Sequence, residues 1–173
     1  SGENLIAFLR GAEKTITALE RLDDNVFTAL PEMKVVSKYG VGFDMIDLDA
    51  MTRRGVKLGW TGGVNRRSVA ELVISLSIAM LRRLPEATAE VAVGGWRQIM
   101  GRQLSSCTLG IIGCGHVGKL LGRMVGPFGC RVLAHDILDF PAYYAETGIE
   151  AVSIDELLKT CDIVTLHLPL DSS

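Results

Sequence analysis

Gly113, Gly115 and Gly118 stand at the spacing G-x-G-x-x-G, and an acidic side chain, Asp136, follows about 20 residues on. These residue types in this pattern can bind a dinucleotide. Gly113 permits a tight turn, Gly115 lets a pyrophosphate approach the backbone with no Cβ in the way, and Gly118 lets a helix pack closely on a strand. The phosphates would meet free N–H groups and the positive end of the macrodipole at the helix N-terminus. Asp136 would accept hydrogen bonds from the adenosine ribose hydroxyls and repel a 2′-phosphate. Ile137, Leu138 and Asp139 offer no cation to hold such a phosphate, so the expected cofactor is NAD rather than NADP.

The motif works only if the elements around it are of the right kind. Leu109, Ile111 and Ile112 form a short apolar run of strand composition leading straight into Gly113. Leu120, Leu121, Met124, Val125 and Phe128 then recur at helical spacing, with Gly126-Pro127 interrupting and Gly129 closing the pattern. Residues 130–134 are a second apolar run ending at His135-Asp136. The order is strand, tight turn, helix, strand. Further on, the pattern predicts a strand near residues 150–152 and a helix over 155–159 with Ser153 as cap. A last apolar run over 162–167 is closed by Leu168 and Pro169.

Upstream, residues 5–9 read as a strand ending in a turn at Arg10-Gly11, and residues 15–22 and 24–30 as short helices, the second with an Asp cap and a stop at Pro31. Residues 33–36 read as a strand leading into SKYGVGFD. Gly40 and Gly42 flank Val41 there and leave backbone N–H groups accessible, which suits a carboxylate and equally suits a plain strand-to-helix turn. A helix over 47–54 closed by Gly55 and a strand over 56–58 follow. Residues 60–65 have the composition of a joint. Ser68-Val69-Ala70-Glu71 is a capping box that opens a helix to about Leu84, apolar around most of its circumference, with residues 86–93 continuing it to Gly94-Gly95.

Composition narrows the function classes. A net charge of −2 over 173 residues leaves no electrostatic footprint for nucleic acid, and no polybasic run points to a membrane surface. The longest nearly continuous apolar stretch, residues 72–84, contains Ser75, Ser77, Arg82 and Arg83 and is too short and polar to span a bilayer. The 48% hydrophobic content fits covered sheet faces, or a chain that buries surface against a partner. Cys107, Cys114, Cys130 and Cys161 form no C-x-x-C, so they read as core thiols of a reducing, cytoplasmic protein rather than as a metal or redox site. No signal-peptide pattern opens the chain. Among the three histidines, His116, His135 and His167, adjacency puts His135 and Asp136 on opposite faces of a strand, which excludes an acid–base pair.

Taken together, SKYGVGFDMIDLDAMTRRGV, the SVAEL helix ending in LRRLP, the Trp96-Arg97 pair, TLGIIGCGHVGK, the Asp136 strand, SIDELLKTCDIV and LHLPL resemble the D-isomer-specific 2-hydroxyacid dehydrogenases. They fall in that family's order and spacing and look most like its 3-phosphoglycerate dehydrogenase branch. The resemblance implies an α/β fold: a partial flavodoxin-like substrate-binding domain over residues 1–61, then an incomplete Rossmann NAD-binding domain with a parallel sheet over 62–173, and the active site in the cleft between them. It implies that His116 and Val117 meet the pyrophosphate through backbone, that His167, Leu168 and Pro169 line the cofactor, and that Arg10 reaches the substrate. Val41 and Gly42 would hold the carboxylate of a small 2-hydroxy or 2-oxo acid. The family's catalytic arginine, glutamate and histidine belong to motifs expected beyond Ser173, so none is assigned here; the chain reads as part of a longer oxidoreductase, inactive alone. The family also pairs residues 68–96, from Ser68 to Trp96, across a two-fold axis, which implies a homodimer. Trp60 and Gly62 depart from the family's usual Asn and Pro, and Arg66-Arg67 from its small or polar residues. A non-enzymatic NAD-sensing module of the corepressor type shares this fold and is the alternative.

Overall fold

The computed structural model describes residues 2–169, and the chain divides into two units at Asn65. The first runs α1 (Gly2–Leu9), β1 (Lys14–Thr17), α2 (Asp24–Ala29), β2 (Val35–Lys38), α3 (Leu48–Arg53) and β3 (Lys57–Gly59). Its three strands form a parallel sheet in the order β1-β2-β3, with Lys14 opposite Val35 and Val35 opposite Lys57. Leu22, Val26, Phe27, Met33, Val36 and Met51 make the centre of its core.

Two elements of this unit correct the sequence reading. Residues 5–9 belong to a helix, not a strand: Leu5, Ile6 and Leu9 turn to the core at helical spacing while Phe8 is 85% exposed. Residues 15–22 are not helical. The β-branched run Thr15, Ile16 and Thr17 pairs with β2, and the chain then turns. The helix caps fall at Asp23, whose carboxylate accepts the Val26 N–H at 3.1 Å, and at Asp47, which accepts the Ala50 N–H at 2.8 Å.

The second unit, Arg66–Leu168, holds α4 (Arg66–Leu81), α5 (Leu84–Ala92), β4 (Thr108–Ile112), α6 (His116–Val125), β5 (Arg131–His135), α7 (Pro141–Thr147), β6 (Glu150–Ala151), α8 (Ile154–Thr160) and β7 (Ile163–Leu166). The sheet order is β6-β5-β4-β7, all parallel, with Leu109 opposite both Val132 and Ile163. Leu109 and Ile111 point to the face where Leu121 and Val125 of α6 and Ala70 of α4 pack. Ile112 points to the other, onto Leu133 and Leu157. On that face a Cβ at Gly110 would lie 2.6 Å from Leu157 Cδ2, so the glycine is what lets α8 close on β4.

Ser68 lies inside the first turn of α4, which starts two residues earlier than the capping box suggests, and Arg67 pairs with Glu71 at 2.9 Å. The helix stops at Leu81. Arg83 takes a left-handed conformation (φ 51°) and starts α5 with Pro85 in its first turn. α7 was not legible in the sequence. It is held on α6 by the Tyr143 hydroxyl, which donates to the Lys119 carbonyl at 3.1 Å, and by the Lys119 ammonium 3.3 Å above the Phe140 ring. Cys107, Cys114 and Cys130 are buried, Cys161 half-buried, and all four are free thiols. Among the described residues no helix is long and apolar enough to cross a membrane.

Candidate functional site

In the second unit, chain order runs from β4 outward to β5 and β6 on one side, then returns to place β7 on the other. Such a reversal opens a crevice at the carboxyl ends of β4 and β7, the usual ligand position in an open parallel sheet. The glycine turn sits there.

Each glycine has a different constraint. Gly113 has φ 96°, and a Cβ on it would stand 2.5 Å from the His167 carbonyl oxygen. A Cβ at Gly118 would run into the Gly113 carbonyl and come within 3.1 Å of Ile111 Cγ2, so α6 could not lie as close to β4. Gly115 is the contrast: a Cβ there would meet nothing within 4 Å. Among the described residues no atom requires glycine at position 115, and the space left open is where the motif expects a pyrophosphate.

Gly115 is also the N-cap of α6, with no side chain capping the helix and no acidic residue in its first turn. The first-turn amides, those of His116 and Val117 included, have no acceptor within the helix, which suits an anion. His116 is exposed, Val117 half-buried.

Asp136 leaves the end of β5 with both carboxylate oxygens engaged by backbone. Oδ2 accepts the Cys114 N–H at 2.5 Å and Oδ1 accepts the Leu138 N–H at 2.9 Å, so the acid is aimed at the glycine turn. Beside it is a depression of about 430 Å³ walled by Leu138, Tyr144, Val152 and Ser153. His135 bonds instead to the Val152 carbonyl through Nδ1 at 2.9 Å. The two neighbours therefore have separate partners. Burial pushes the Cys114 thiol upward, and burial is also the main cause that raises the hydroxyls of Tyr143, to about 12, and Tyr144.

β7 brings His167 and Leu168 to the same place. The His167 N–H donates to the Ile112 carbonyl at 2.8 Å, its ring lies 3.1 Å from the Thr165 hydroxyl, and burial lowers its pKa. Leu168 Cδ2 would be 2.9 Å from a Cβ on Gly113. Pro169, the last described residue, falls outside this unit.

In the first unit, Val41 and Gly42 follow the carboxyl end of β2, and Gly40 has φ 116°. Arg10 is not brought to them. It follows α1 and precedes β1, at the amino end of a parallel sheet whose carboxyl end carries the Val41-Gly42 loop. The strand expected before it is a helix.

What stands at the carboxyl end instead was missed in the sequence. The Lys38 ammonium donates to the Ala18 carbonyl and, at 3.3 Å, to the Tyr39 carbonyl, while the Tyr39 N–H donates to the Thr17 carbonyl at 2.8 Å. Glu20 accepts the Ala18 N–H at 2.8 Å and the Thr17 hydroxyl at 2.9 Å; these bonds, the amide first, hold its carboxyl at about 2. The Phe43 and Trp60 rings pack 4.6 Å apart beside the loop. A basic residue just before the glycine pair was the available signal for Lys38.

Residues 74–173 match the family model described as D-isomer specific 2-hydroxyacid dehydrogenase, NAD binding domain. The chain belongs to this family. NAD is the cofactor of this domain, and the open Gly115, uncapped α6 and aimed Asp136 fit it. Human D-3-phosphoglycerate dehydrogenase is 33% identical over 98% of this chain and 32% of its own length. The D-lactate dehydrogenase of Aquifex aeolicus, solved with NAD and lactic acid, superposes with a TM-score of 0.89 at 29% identity, covering 96% of this chain and 51% of that one. The NAD+-bound 3-phosphoglycerate dehydrogenase of Entamoeba histolytica gives a TM-score of 0.79 at 29% identity, covering 99% and 51%. The chain thus spans about a third of the curated relative and about half of the solved ones. All three are named as dehydrogenases, and nothing among them supports the corepressor-type alternative.

Proposed function

We propose that the intact protein containing this chain is an NAD-dependent oxidoreductase of small 2-hydroxy and 2-oxo acids. The observation that carries the reading is Gly115: a position open to 4 Å, at an uncapped helix N-terminus, with Asp136 directed at the same turn. Bound NAD supplies the chemistry, a hydride exchanged between its nicotinamide C4 and the substrate C2. The chain's own residues bind and orient. The His116 and Val117 amides would hold the pyrophosphate, Asp136 would accept from the ribose hydroxyls, and His167, Leu168 and Pro169 would line the cofactor. Val41 and Gly42 hold the substrate carboxylate by their amides, and Lys38, tied to the flanking carbonyls, fixes that loop.

On this reading residues 1–61 belong to the substrate-binding domain and residues 62–173 to the NAD-binding domain. The protein is a cytoplasmic homodimer through residues 68–96, a reading supported by its free thiols and by the exposed apolar side chains of α4 and α5. The test is direct. The intact protein should quench or shift NADH fluorescence on titration and should oxidise NADH with at least one of hydroxypyruvate, 3-phosphohydroxypyruvate or glyoxylate. NADH binding without turnover on any 2-oxo acid would return the protein to the binding-module class.

A further inference from the structure

The depression beside Asp136 carries more negative charge than one ribose-binding carboxylate requires. Asp139, three residues along the chain, and Glu156, in the first turn of α8, line the same space, and no lysine or arginine is among its lining residues. Glu156 arrives there by a separate route. The Ser153 hydroxyl caps α8 by accepting the Glu156 N–H at 3.2 Å, which leaves the Glu156 side chain free of the cap. Asp136 itself is bound on both oxygens by the Cys114 and Leu138 amides, so it is aimed and cannot swing aside to admit a bulky anion.

We propose that selection against a 2′-phosphorylated dinucleotide is shared by three carboxylates, Asp136, Asp139 and Glu156, of which Asp136 alone also bonds the ribose. The inference rests on the NAD-binding reading. A 2′-phosphate in this depression meets negative charge from the β5 end, the loop after it and α8, and no lysine or arginine lines the space; Arg131, which interacts with Glu156, is not among the lining residues. Removal of Asp136 therefore leaves two thirds of the acidic lining in place.

Dissociation constants for NADH and NADPH are measured by nicotinamide fluorescence on the full-length protein, with Asp136→Asn, Asp139→Asn, Glu156→Gln and the triple variant, at low and high salt. Asp136→Asn should still prefer NADH, and Asp139→Asn and Glu156→Gln should each lower the NADH-to-NADPH affinity ratio by about two- to fivefold, as expected for exposed charges several ångströms from a phosphate. The residual preference of Asp136→Asn should shrink in high salt. Equal affinity for both nucleotides in Asp136→Asn alone overturns the proposal, as does an unchanged ratio in both Asp139→Asn and Glu156→Gln. An unmutated protein that binds neither nucleotide overturns the NAD reading itself, a different result. Glu156→Gln keeps the backbone amide that Ser153 caps, so thermal unfolding within about a degree or two of the unmutated protein separates a charge effect from a loss of α8.

Discussion

Gly115 and Gly118 belong to one motif, yet substitution should separate them cleanly. At Gly118 an added methyl meets the Gly113 carbonyl, and α6 has to move off β4; Gly118→Ala should cost about 1–3 kcal/mol of stability, read as a lowered midpoint in denaturant. At Gly115 the same methyl meets nothing of the protein, and the change from Gly to Ala at an N-cap costs about 1 kcal/mol or less. Gly115→Ala should therefore stay folded while its NADH affinity falls at least about tenfold, the methyl occupying the pyrophosphate's place. Equal loss of stability in both variants would show that position 115 is constrained by the fold. Glu20 gives a second test. Its folded carboxyl titrates at about 2 against an ordinary 4.5, so the unfolded chain takes up the proton first. The contribution is complete above pH 4.5 and is lost as pH falls towards 2. Glu20→Gln should flatten the acid limb of a stability-against-pH curve in that window, and an unchanged limb would show that the Thr17 and Ala18 bonds do not persist in solution.

At the level of elements, what was legible was local. The glycine turn, the helix it opens and the acid after β5 lie within one continuous segment, and each follows from neighbouring residue types. The Ser153 cap was likewise readable, and Ser153→Ala should destabilise α8 by about 1 kcal/mol, measured by thermal unfolding. What was not legible depends on distant partners. Thr15 to Thr17 become a strand only because β2 lies alongside, and without that pairing the segment reads as a helix. The exchange of helix and strand at the start of the first unit also changes the end of the sheet at which Arg10 lies, since a residue after a strand lies at the carboxyl end of the sheet and a residue after a helix at the amino end. Lys38 and Glu20 are fixed by a carbonyl 20 positions away and by a turn that exists only once β1 has formed. α7 is seven residues long and depends on Gly122, where any side chain would strike the Tyr143 hydroxyl or Ile149.

For the whole molecule, α4 makes the strongest demand. Ala70, Val73, Ile74 and Leu81 face the core, while Leu72, Leu76 and Met80, four residues apart in turn, share another face and are 55, 52 and 73% exposed. Val91 and Trp96 continue the apolar surface, Trp96 being 92% exposed. A two-fold axis would use this patch twice. We expect the intact protein to sediment as a dimer, and Leu76→Asp or Met80→Asp to yield monomer or aggregate, because an unpaired carboxylate in a dry interface costs several kcal/mol. A stable monomer for the unmutated protein at high dilution would refute that assembly. The parallel sheet has a further consequence, in time rather than in space. β4 lies between β5 and β7, and each ladder waits on a crossover: α6 for the first, and everything from α6 to α8 for the second. Helices form in about a microsecond, whereas strand pairing across such separations takes milliseconds to seconds. During refolding, the helical signal should therefore appear before the Ile111 amide is protected from exchange, and in the native protein that amide, at the centre of the sheet, should be among the last to exchange.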